Sequence, residues 1–123
     1  MDVHIQYATL CALLNLIYES DSNRMLSTEL NGISPIITLL QTTSHEHLIT
    51  MGIQILSNIS YNNGYTANCV LLAGGGEVLL EVLESGELLH TYIHTYIHLY
   101  TPSMTRYITN KRYHRCCAVY INI

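Results

Sequence analysis

Shifted by 43 residues, the front half of this chain lies on itself. His4 falls on His47, Leu13 on Leu56, Asn15 on Asn58 and Tyr18 on Tyr61; further along, Gly32 falls on Gly75 and Leu40 on Leu83. Similar apolar residues fill the intervals: Ile5 pairs with Leu48, Leu16 with Ile59, Ile36 with Leu79, Ile37 with Leu80 and Leu39 with Val82. A fixed period constrains a fold more tightly than composition does, because each copy buries its apolar face only against its neighbours. Asn, Tyr and Gly keeping one register are harder to obtain by chance than a match between two apolar stretches.

The unit accommodates three helices. Ser22–Leu30 reads as a short first helix closed at Asn31-Gly32, where glycine suits a left-handed turn. Pro35 then stands near the start of a second helix, where its missing N–H does no harm, and Ile36–Gln41 carries the apolar positions. Thr42-Thr43-Ser44 separates this from a third helix over about His45–Ser60, with Ser44 as the expected N-cap and His47 at the third helical position. Leu48, Ile49, Ile53, Ile55, Leu56 and Ile59 give that helix a broad apolar stripe. Asn62-Asn63-Gly64 ends it; Tyr65–Ala73, the turn Gly74-Gly75-Gly76 and Glu77–Glu84 repeat the first two helices.

The segment Ile53-Gln54-Ile55-Leu56-Ser57-Asn58-Ile59 resembles the third-helix signature of armadillo repeats, and Leu13-Leu14-Asn15-Leu16 is the same segment one unit earlier. Asn31-Gly32-Ile33-Ser34-Pro35-Ile36-Ile37-Thr38-Leu39-Leu40 resembles the run that joins the first and second armadillo helices, with Ala73–Leu80 a looser copy. The resemblance covers about residues 3–86 and implies an all-α, right-handed α-solenoid of about two units: a partial repeat at 1–20, a repeat at 21–61 and a partial repeat at 64–87. A chain that opens within a third helix is expected to be a piece of a longer solenoid, tending to self-associate through its uncapped ends.

In armadillo proteins the third helices line a groove, so the resemblance implies that Asn15 and Asn58 face it. An amide offers both donor and acceptor and can pair with the backbone of an extended peptide. Positions four earlier and three later share the helix face, which adds Cys11 and Tyr18 in one unit and Gln54 and Tyr61 in the next. The competing role for each Asn is structural, bonding a neighbouring backbone carbonyl. The implied function is a scaffold for a protein or peptide partner. The alternative is a regulatory arm of a larger multi-domain protein, such as one pairing ankyrin with armadillo repeats, whose chemistry lies elsewhere.

Charge narrows the partners. All nine acids lie at or before Glu87, and Arg24 is the only base among them, leaving residues 1–89 at −8. Such a surface repels nucleic acid and favours basic or neutral partners. With 49% hydrophobic residues and 11% charged, the chain has enough apolar material for a core and too little charge for a disordered polymer. Apolar runs such as Leu10–Leu14 and Val78–Leu80 fall far short of the roughly 18 residues that span a bilayer, so no membrane role is expected. Four cysteines without a disulfide framework fit reduced thiols in the cytoplasm or nucleus; Cys11 and Cys69 read as packed, unreactive thiols.

No catalytic residues and no cofactor are expected. Gly74-Gly75-Gly76 follows a helix and lacks the Lys-Ser/Thr of a phosphate loop. Glu77, Glu81 and Glu84 share one helix face and read as a solvated flank. The repeat pattern stops near Leu89, and residues 88–123 form a low-complexity tail. There His90, His94 and His98 would line one helix face and could present imidazoles to a metal. The blander reading is read-through of simple-repeat DNA, since CATA repeated and read in triplets encodes His-Thr-Tyr-Ile. Cys116 and Cys117 are adjacent and lack zinc-ligand spacing.

Overall fold

The computed structural model describes residues 2–85, with side chains for residues 2–82. These residues form six helices and no strand: α1 (Val3–Ile17), α2 (Asp21–Glu29), α3 (Ile33–Thr42), α4 (Glu46–Ser60), α5 (Gly64–Leu72) and α6 (Gly75–Ser85). The chain is all-α over this span. The expectations for residues 88–123, including His90, His94, His98, Cys116 and Cys117, lie outside the described residues.

The 43-residue period recurs in the helices. α1 and α4 are each 15 residues long and start 43 apart; α2 and α5 are each nine residues long, with the same offset. The corners repeat too. Glu19 (φ 54°) and Asn62 (φ 50°) are left-handed at one corner, and Asn31 (φ 60°) and Gly74 (φ 98°) at the other. One residue later, Ser20 caps α2 by accepting from the Asn23 N–H at 3.3 Å, and Asn63 caps α5 by accepting from Tyr65 and Thr66 at 3.0 and 3.2 Å. The last carbonyls of a helix have no partner within it. Here they are met by the next helix: the Asn23 amide donates to the Leu16 carbonyl at 2.6 Å, and the equivalent Thr66 hydroxyl donates to Ile59 at 2.5 Å.

Several boundaries differ from those expected. The left-handed residue before α3 is Asn31, not Gly32, whose φ is −73°. Gly32 is needed for space instead: its N–H donates to the Ser27 carbonyl at 2.8 Å, and a Cβ there would lie 2.8 Å from that oxygen. α3 starts three residues earlier than Ile36, so Pro35 falls inside its first turn, where its missing N–H is still harmless. Ser44 does not cap α4. The N-cap is His45, whose N–H donates to the Thr43 hydroxyl at 3.2 Å, and this local turn moves the helix start one residue on.

α4 lies at the centre, packed against α1, α2, α3 and α5, while α2 meets α5 and α3 meets α6. Leu48, Ile53, Ile55, Leu56 and Ile59 of α4 are buried, alongside Ile36, Ile37 and Leu40 of α3 and Val78, Leu79 and Leu80 of α6. Gly52 lets Leu40 of α3 approach; a Cβ at residue 52 would sit 2.8 Å from its Cδ2. The acidic residues Glu77 and Glu81 of α6 are exposed. None of the described helices is long and apolar enough to cross a membrane.

Two serines one turn apart in α4 behave differently. Ser60 Oγ donates to the Leu56 carbonyl at 2.8 Å, whereas the equally buried Ser57 Oγ finds no partner among the described residues. A buried unpaired hydroxyl costs free energy. Ser57→Ala is therefore expected to raise the unfolding free energy by about 1 kcal/mol, read from urea denaturation. A loss of stability would show that the hydroxyl is paired after all.

Candidate functional site

α1 and α4 lie side by side and run in the same direction. At their N-terminal ends the Tyr7 and His47 rings meet edge-on, with centroids 6.3 Å apart and planes at 73°. At their C-terminal ends Arg24 joins them. Its Nη1 donates to the Ile17 carbonyl at 3.4 Å, and its guanidinium carbon lies 5.9 Å from the centroid of the Tyr61 ring. Arg24 is buried and also pairs with the exposed Asp21 carboxylate. The only base of the front half thus holds α1 and α4 together, as a cation over a ring and a donor to a helix end.

This packing puts the sequence-derived residues on neighbouring helices: Cys11, Asn15 and Tyr18 along α1, and Gln54, Asn58 and Tyr61 along α4. Their environments are not equal. Asn15 is exposed and makes no side-chain hydrogen bond among the described residues. Asn58 is half-buried, and its Nδ2 donates to the Gln54 carbonyl of its own helix at 2.9 Å. That bond uses one of the two amide N–H groups and leaves the acceptor side available. Tyr18 and Tyr61 are the C-caps of α1 and α4 and are both exposed, but Tyr61 is engaged by Arg24. Gln54 is half-buried.

Cys11 is half-buried, and the interaction of its thiol with the Tyr7 hydroxyl raises the Tyr7 pKa above its ordinary value. Cys69 acts on Tyr65 in the same way, and more weakly Glu29 adds its negative charge. Both thiols are therefore neighbours of tyrosines rather than fully enclosed.

A cleft of about 360 Å³ opens where the N-termini of α1 and α4 meet, lined by Val3, His4, Tyr7 and residues 45–48. In the sequence His4 and His47 mark the repeat register, and His47 also the third helical position. Tyr7 stands outside that register, since its counterpart is Thr50, and its contact runs from α1 to α4. The cleft gathers three imidazoles and the Glu46 carboxylate, yet no three His, Cys, Asp or Glu side chains among the described residues are placed to hold one metal ion. Its chemistry is that of ring contacts and single hydrogen bonds. No family model, curated protein or solved structure matches the chain.

Proposed function

We propose that the chain forms part of an armadillo-like, right-handed solenoid of about two units, and that its third helices, α1 and α4, bind an extended peptide of a protein partner. The observation that carries this reading is the shared 43-residue register of sequence, helix ends, caps and left-handed corners. It sets Asn15 and Asn58 at equivalent points of two parallel neighbours, as rungs for a peptide backbone. Asn15 would donate and accept freely, and Asn58 would act chiefly through its oxygen. The acidic front half favours neutral or basic peptides. The role is one of binding and needs no cofactor, and a reducing cellular compartment would suit the free thiols.

The test uses an array of extended neutral and basic peptides, followed by titration calorimetry on those that bind. Asn15→Ala and Asn58→Ala are each expected to weaken binding about fivefold, equivalent to the roughly 1 kcal/mol of one net hydrogen bond. Together they should cost more than tenfold while the thermal melt barely moves. Unchanged affinity in the double variant would refute the role of both amides.

A further inference from the structure

The cleft where α1 and α4 begin lies on the same side of those helices as Asn15 and Asn58. His4 precedes Asn15 by 11 residues, and His47 precedes Asn58 by 11. Eleven residues at 3.6 per turn return to within about 20° of the starting direction, roughly 16 Å along the axis. The walls are apolar: Val3 and the Tyr7 ring on α1, and Leu48, 0% exposed, on α4. Val3 and Tyr7 stand on the flank of α1 turned to α4. The flank carrying Ile5, Thr9, Ala12 and Leu16 is the opposite one, and it is the flank that the repeat gives to a preceding unit. A unit stacked there leaves both walls of the cleft as they are.

We infer that this cleft is the anchor pocket of the groove and takes one neutral aromatic side chain, tryptophan or tyrosine, of the partner peptide. The inference rests on the proposed groove for the peptide, and on the cleft itself for the ring. At about 360 Å³ the cleft is at the small end of ligand pockets and has room for a single large side chain rather than a packed helix. Its two rings, Tyr7 and His47, already meet edge-on at 73°, the arrangement aromatic side chains prefer, and a third ring extends such a cluster. Charge selects a neutral occupant. The Asp2 and Glu46 carboxylates turn away an anion, and the positive ends of two helices pointing the same way offset them against a cation. The imidazoles of His4 and His45 and the Glu46 carboxylate line the rim and offer acceptors to an indole N–H or a phenol O–H, which favours tryptophan or tyrosine over phenylalanine. An extended peptide advances about 3.3 Å per residue, so the anchor falls about five residues from the one paired with the asparagine amides.

The probe is N-acetyl-tryptophan amide, titrated into the isotopically labelled full chain and followed by backbone chemical shifts. Saturable shifts are expected at residues 3–7 and 45–48, with a Kd of roughly 1 mM, the range open to so small a ligand. The corresponding leucine, lysine and glutamate compounds should bind at least about fivefold more weakly. Tyr7→Ala and His47→Ala should each weaken the tryptophan probe about fivefold, the worth of one ring contact, while Tyr7→Phe keeps the ring and the affinity. Two positions are used so that misfolding of one variant leaves the other to decide. Asn15→Ala and Asn58→Ala should leave this probe's Kd alone, so that cleft and groove fail separately. In a peptide that Asn58→Ala weakens, a single tryptophan walked along the sequence should strengthen binding about tenfold at one position, and Tyr7→Ala should erase that gain. The inference is overturned if the leucine or lysine compound binds as tightly as the tryptophan probe, if neither residues 3–7 nor 45–48 shift, if both alanine variants bind normally, or if no tryptophan position gains. Binding of the probe without any peptide that depends on Asn58 would remove the groove, and with it the anchor role.

Discussion

Ile55→Ala should cost about 4 kcal/mol and lower the melting temperature by roughly 20 °C. Ile55 is 0% exposed at the centre of α4, and its counterpart in α1, Ala12, is exposed. Removing three carbons from an enclosed site forfeits their transfer free energy and leaves a void that neighbours fill only in part. A module of this size is held by roughly 4–13 kcal/mol in total, so the loss takes about a third or more of its stability. Leu72→Ala is the control. Leu72 is 88% exposed, and its truncation should change stability by less than about 0.5 kcal/mol. Equal effects of the two substitutions, measured by chemical denaturation, would contradict the central placement of α4.

The second large effect is expected at the corner between α5 and α6. A Cβ on Gly75 would lie 2.5 Å from Val70 Cγ1 and 2.8 Å from the Val70 carbonyl oxygen. The carbonyl belongs to the helix backbone and cannot step aside as the end of a side chain would. Gly75→Ala should therefore destabilise by about 3 kcal/mol, the upper end of what overpacking costs. Gly64, at the start of α5, has nothing within 4 Å of its would-be Cβ and an ordinary φ. Gly64→Ala should be neutral or stabilising by up to about 1 kcal/mol, because it stiffens the unfolded chain. If both variants melt alike, the close approach at Gly75 is not real.

Much of this architecture was legible before any coordinates. Apolar spacing and the 43-residue offset placed α2 to α6 with limits off by no more than three residues. What failed was the choice among local candidates that only neighbours decide. Asn31 and Gly32 are both able to turn left-handed; the Ser27 carbonyl, close against residue 32, assigns the turn to Asn31 and the small residue to Gly32. Ser44 and His45 both precede α4, and the Thr43 hydroxyl decides between them. Asn15 and Asn58 fall at equivalent positions of α1 and α4 because they keep the repeat register. Contacts that cross units are not periodic. The Tyr7–His47 pair pairs unlike positions, and Arg24 reads as a lone surface base until Tyr61 and the Ile17 carbonyl are seen around it.

The ties that run from Asn23 to Leu16 and from Thr66 to Ile59 bear on how such a chain can lengthen. Each fastening is made between one cassette's closing carbonyl and the side chain that opens the next, and both halves are written inside the duplicated stretch. A further tandem copy would bring its own latch with it. Growth by whole cassettes then needs no new joint, whereas gaining or losing a few residues at a corner would separate latch from catch.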